Sequence, residues 1–299
     1  MIRPVTVGVD GSPESLAALD WAAQEAHLRG VPLHLLHSWP WQPPPSASAA
    51  ANTAERHWAG RLLREAQERV DRVHPGLDVT VTQVPEPPTA ALLDAARTSE
   101  LLALGSRGLS GLTGFLTGAV AQSVLATAER PVVLVRAVVP DGSPEPGGVD
   151  RGTAQDPHRE VVVGVELGRS SHEVIEFAFE EARIRKAVLH VVHTYRIPQS
   201  YGFDSTEFMP LTDADLVADN QRELAELVQP WREKWPDFPV TEMVVGGNAA
   251  EQLLRTAHGA ELLVVGRRRR ATHLGPHTGP VTHAVIHHAQ CPVAVVPHS

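Results

Sequence analysis

The sequence predicts an α/β fold of two tandem doubly wound, parallel five-stranded sheets. Three observations carry that expectation. Short apolar, β-branched runs alternate with amphipathic stretches along all 299 residues. The second half repeats the first in the same order. A stretch rich in Pro, Gly and Asp, residues 140–157, separates the halves and reads as a linker. The expected domains are therefore 1–139 and 158–299.

In the first half, Pro4 to Val9 is the first strand, ended by Asp10-Gly11-Ser12-Pro13. Ser12 suits a helix N-cap and Pro13 the first helical position. The helix carries Leu16, Leu19, Ala22, Ala23 and Ala26 on one face and stops at Gly30. Val31 to Trp39 is the second strand. Pro40 to Asn52, rich in Pro, Ala and Ser, predicts a flexible loop, and a long helix follows over about Thr53 to Val73. Val79 to Val84 is the third strand, and Thr89 caps a helix that ends near Thr98. Leu101 to Leu104 is a fourth, buried strand. Five glycines follow, then a helix over about Ala119 to Ala128, Pro131 and a last strand, Val132 to Val135. Such β-α alternation makes right-handed crossovers and a parallel sheet. With the order 3-2-1-4-5, the crevice lies at the carboxyl ends of the first and fourth strands. Asp10 and Gly105 end those two strands.

Four segments recur in order. Val161–Glu166 matches Val5–Asp10, and Leu189–Tyr195 matches Leu33–Trp39. Leu262–Gly266 matches Leu101–Gly105, and Gln290–Val296 matches Glu129–Val135. A repeat of this kind is the mark of duplication.

Gly105, Gly108 and Gly118 are spaced G-x2-G-x9-G. Glycine permits positive φ and close approach of a phosphate, and a helix start offers free N–H groups to an anion. The spacing also suits a tight strand-to-helix connection with no ligand. The motif, with the duplication, resembles the nucleotide-binding signature of the universal stress protein family, and the resemblance spans nearly the whole chain. It implies a Rossmann-like, adenine nucleotide alpha hydrolase-like fold. It also implies ATP, with or without Mg2+, in the first domain: base near Val9 and Ser38, ribose near Asp10. The phosphates would lie on Leu104-Gly105, Gly108, Gly118 and the amides of Ala119, Val120 and Ala121. Asp10 equally suits an Asx turn. The family pattern places hydroxyl residues where Ala119 and Ala121 stand, so binding is expected to be weak.

The second copy departs at the chemistry. Asp10 becomes Glu166, Gly108 becomes Arg269 and Ala119 becomes Pro280. Arginine is strained at positive φ, and proline removes an amide that would face phosphate. This site is expected not to bind ATP in the family manner. Arg267 to Arg270 is a solvated basic turn or a side-chain anion site. Ser170-x-x-Glu173 is a capping box for the helix that follows.

Net charge is −9 with no basic tail, which argues against a nucleic-acid partner. No apolar run is long enough to span a membrane. The first residues read as a strand, not a signal peptide. The single cysteine, Cys291, excludes an intrachain disulfide framework and fits a cytoplasmic, reducing setting. His283 and His287 have helical metal-ligand spacing but no H-E-x-x-H pattern. Phosphate-binding GKS/T and G-x-S-x-G elements are missing, so an enzyme, at most a slow ATP hydrolase, is the weakest reading. A scaffold for an unidentified protein partner, with decayed sites, is the main alternative to nucleotide binding. The resemblance further implies that the two last strands pair within the chain as a pseudo-dimer, with a homodimer as a further option.

Overall fold

The structure is a computed structural model. It describes residues 2–40, 47–106, 118–137, 159–168, 171–195, 213–269 and 278–299. It divides into two compact units, Met1–Arg159 and Glu160–Ser299.

The first unit runs β1 (Val5–Gly8), α1 (Pro13–Arg29), β2 (Leu33–Ser38), α2 (Ala47–Val73), β3 (Val79–Val84), α3 (Pro88–Thr98), β4 (Leu101–Ser106), α4 (Ala119–Thr127) and β5 (Val132–Arg136). Its strands are parallel in the order β3-β2-β1-β4-β5. β1 and β4 are central and buried on both faces, which is why they read as unbroken apolar runs. α1 starts at Ser12, whose hydroxyl accepts from the Ser15 amide, and ends at Gly30 in the left-handed region (φ 65°).

Two expectations need correction. α2 begins at Ala47, inside the expected loop, because the Ala-rich stretch 47–51 is strongly helix-forming. α3 begins at Pro88 with Pro87 at its cap position and no side-chain cap, so Thr89 lies inside the helix. Proline tolerates these first positions because their amides have no helical partner.

The second unit runs β6 (Glu160–Val165), α5 (His172–Arg185), β7 (Val188–Tyr195), α6 (Asp213–Lys234), β8 (Val240–Gly246), α7 (Ala249–Thr256), β9 (Leu262–Arg268), α8 (Pro280–His288) and β10 (Val293–His298). Its order, β8-β7-β6-β9-β10, repeats that of the first unit. The expected capping box is not the helix start that forms: Ser171 takes the cap position of α5 without a side-chain cap bond, and Ser170 lies outside the described residues.

Both units lock their first helix with a buried ion pair. Glu25 and Arg29 meet at 2.5 Å, with Glu25 fully buried, and Glu181 and Arg185 repeat the pair in the second unit. Glu100 and Glu261 then reach toward Arg29 and Arg185. These pairs lie near the amino ends of β4 and β9, far from the strand ends where a doubly wound fold places ligands. No helix among the described residues is long and apolar enough to cross a membrane.

Candidate functional site

Strand register assembles the edge. In the first unit Gly8 faces Leu36 and Val7 faces Ala103. Continuing each register places Asp10, Ser38 and Ser106 in one row at the carboxyl ends of β1, β2 and β4. Val9 is buried, and its amide donates to Leu36 O at 2.9 Å. His37 donates from Nδ1 to Val9 O at 2.6 Å and so fixes the strand end. Asp10 is exposed, and its Oδ1 accepts from the Ser12 amide at 2.9 Å and hydroxyl at 2.6 Å. This Asx turn leads directly into α1.

Gly105 is required by packing. A Cβ there would lie 2.5 Å from Glu14 C and 2.7 Å from Ser15 N, inside the backbone of the first turn of α1. On the other face Leu104 is buried and touches the position a Gly8 Cβ would fill, at 3.0 Å. Ser106, which sequence reasoning passed over, is buried, and its hydroxyl has no hydrogen-bond partner among the described residues. It follows Leu104 by two residues and so shares its face.

Gly118 caps α4 with φ −52° and ψ 148°, and nothing lies within 4 Å of its Cβ direction. Gly118, Ala119 and Val120 are exposed, Ala121 is buried, and no side chain among the described residues caps this helix start. Ser38 is half-buried on β2. Gly108 lies outside the described residues.

The second unit presents the same edge with other chemistry. Glu166, Thr194 and Arg267 form the corresponding row, by extension of Val165–His193 and Val163–Val264. His193 repeats the bond of His37, to Val165 O at 3.2 Å. Arg269 does not adopt positive φ; its amide donates to His298 O at 2.7 Å, prolonging the β9–β10 pairing. Its guanidinium faces Glu173 at 3.7 Å. Burial opposes ionisation of Glu173. The Glu173 and Ser299 amides, the Ser299 hydroxyl and the His298 ring together still hold its carboxyl below the usual value. Burial and then the Arg269 charge lower the Arg267 pKa. Gly279 takes φ 79°, and Pro280 opens α8 without an amide to offer.

Thr282, at the repeat position of Ala121, donates from its hydroxyl to Gly266 O at 2.9 Å. Aligning the two repeats would have found it. A cavity of about 730 Å³ opens at this edge, between Glu166, Thr194, Leu253, Arg268 and Thr282. His283 and His287 rings lie 4.5 Å apart on α8, but no group of three metal-ligating side chains occurs among the described residues. His273 and His277 lie outside them. Cys291 is buried.

The fold defines a tandem pair of doubly wound α/β units. The family description "Universal stress protein family" matches residues 1–136 and again 157–297, and the chain belongs to that family. Universal stress protein Rv2005c of Mycobacterium tuberculosis is 32% identical, over 99% of this chain and 97% of its own length. In fold, the chain is similar to a crystallised universal stress protein from Archaeoglobus fulgidus. The TM-score there is 0.66 at 17% identity, over 99% of this chain and 98% of that one. A universal stress protein from the same organism in complex with dAMP matches 45% of this chain and 99% of its own, at 25% identity and a TM-score of 0.35.

Proposed function

We propose that the first unit binds ATP, with or without Mg2+, weakly, and that the chain is a stress-response or regulatory protein whose state follows nucleotide occupancy. One observation carries this reading. Among the described residues the start of α4 has no side-chain cap, is exposed and has open space at Gly118, in the unit whose strand edge bears Asp10 and Ser38. Free amides and the positive end of a helix stabilise an anion there. The affinity is low because Ala119 and Ala121 offer no hydroxyl, and a hydrogen bond to a charged group contributes about 1.5–3 kcal/mol.

Calorimetric titration of the full chain with ATP and magnesium, beside Gly118→Val, tests it. One site per chain, lost in the variant, is expected. Absence of heat and of thermal stabilisation would refute it. That result would favour the second reading, a partner-binding scaffold, for which one observation speaks: the Asp10 carboxylate already serves the Ser12 turn.

A further inference from the structure

The two units differ at the end of the fold opposite the strand carboxyl ends. There α1 and α2 of the first unit finish, and each carries a histidine. His27 sits in the last turn of α1, and His74 follows α2, its amide donating to Val70 O at 2.8 Å. The two rings lie 5.3 Å apart, centroid to centroid, tilted by 39°. His27 is exposed and His74 half-buried, so water reaches the pair. In the second unit the corresponding corner is filled. Trp235 repeats the place and the bond of His74, its amide donating to Trp231 O at 2.9 Å, and Arg183 stands where His27 does. Trp235 stacks on Phe179 at 5.7 Å, and the first unit has only Ala23 at the place of Phe179.

We propose that His27 and His74 clamp a Zn2+ ion between the ends of α1 and α2, with water completing its tetrahedron. Distance supports this first. Zinc takes imidazole nitrogen at about 2.0–2.1 Å, so two ring centroids, each about 3.2 Å from a tetrahedral ion, stand about 5.2 Å apart. The observed separation therefore lets zinc enter with ring rotation alone. The ligand class follows from the donors: imidazole suits zinc and its neighbours, whereas Mg2+ and Ca2+ take oxygen.

Electrostatics and order point the same way. Both rings stand at helix carboxyl ends, where the macrodipole favours a cation. Arg29, the other cation of that turn, is directed to Glu25. The forked pair of Arg69 with Asp20, 2.6 Å at both contacts, already ties α2 to α1 and fixes the spacing before a metal arrives. His283 and His287 also lie close, at 4.5 Å, but His287 is buried, which closes that pair to the waters a two-histidine site needs.

Calorimetric titration of the full chain, free of any added histidine tag, with zinc chloride at about pH 7.5 tests the proposal. Nucleotide is left out, so the result is independent of ATP binding at the other end of the unit. A saturable zinc site is expected. His27→Gln and His74→Gln should each weaken it at least about tenfold, because even the groups behind a metal ligand contribute about 10–100-fold. The double variant should bind about as weakly as either single one, since both rings hold one ion. Zinc should raise the urea midpoint of the parent and not of these variants, because it binds the docked helices and not the unfolded chain. All variants should keep the parent circular dichroism. His283→Gln should bind like the parent, and lowering the pH to about 5 should release the ion as protons take the imidazoles. The proposal is overturned if no saturable site is found, if both single variants bind zinc like the parent, if His283→Gln removes the site, or if magnesium chloride binds as tightly as zinc.

Discussion

Replacing Gly105 by alanine separates two roles that a glycine can have at this edge. The new methyl would lie 2.5 Å from Glu14 C and 2.7 Å from Glu14 O and Ser15 N, all backbone atoms. Ordinary contact begins near 3.4 Å, so the first turn of α1 has to retreat by about 1 Å or the strand has to bend. That turn is held by Ser12, by Asp10 and by the Ser15 hydroxyl bond to Ser12 O at 2.9 Å, so it does not yield freely. Overpacking of this kind costs about 1–3 kcal/mol, and contact with the rigid Glu14–Ser15 peptide, not a flexible side chain, puts Gly105→Ala near 3 kcal/mol. With a urea slope of about 2 kcal/mol/M, the transition of the first unit moves down by about 1.5 M. Circular dichroism and tryptophan fluorescence in a urea titration read this. Gly118→Ala is the control: its Cβ meets nothing within 4 Å, and an alanine cap costs less than about 1 kcal/mol. Equal midpoints for Gly105→Ala and wild type would refute the packing argument and return Gly105 to a purely ligand-facing role.

Four further outcomes follow from the same geometry. Ala119→Ser restores a hydroxyl at the open start of α4 and should tighten ATP about tenfold in the calorimetric titration, with little change in the urea midpoint. Arg185→Met removes the cation paired with the fully buried Glu181 carboxylate and should cost about 3–5 kcal/mol, read as a lower urea midpoint of the second unit. Lys186 is the one non-glycine residue with positive φ (53°) among those described and holds the place of Gly30; Lys186→Gly should raise the thermal midpoint, by about 1 kcal/mol of stability. Burial lowers the His34 pKa from 6.5, and the neutral ring is satisfied by Thr6 at 3.2 Å and Thr82 at 2.9 Å. The unfolded chain then binds the proton better, so this stability is fully present above about pH 6.5 and is lost as pH falls through the folded value; His34→Gln should flatten urea stability measured between pH 8 and 5.

The strand order was legible because each strand is a short apolar run and each helix an amphipathic one. The duplication doubled every such signal. What failed was local. The stretch at Ala47 carries helix propensity but no apolar period, so it read as loop beside its prolines. Glu25 and Arg29 stand i,i+4 apart, a spacing ordinary on any helix face, and only the packing of Glu100 and Arg130 around them reveals their burial. Gly105 read as a phosphate-approach glycine, and the sequence holds no sign that the backbone of α1 lies against it. Arg267, Arg268 and Arg269 read as one basic run. Strand alternation and the β9–β10 pairing send them to three different environments, which composition alone cannot separate.

The two copies differ in a pattern that bears on what each edge does. Positions that shape the backbone are held in both. Gly8 and Gly164 admit a leucine from α3 or α7, His37 and His193 hold a strand-end carbonyl, and Gly105 and Gly266 leave room for a neighbour that a side chain would strike. Positions whose side chains face the edge are not held. Asp10 becomes Glu166, Ser38 becomes Thr194, Ala119 becomes Pro280 and Ala121 becomes Thr282. Packing alone holds the frame in both units, because a Cβ at Gly105 or at Gly266 would strike a neighbour whatever the edge binds. Packing does not fix the facing residues, so these set the chemistry of each edge: in the first unit a helix start with no side-chain cap among the described residues, beside Asp10 and Ser38, and in the second Glu166, Thr194 and a Thr282 hydroxyl that donates to Gly266 O beside a cavity of about 730 Å³.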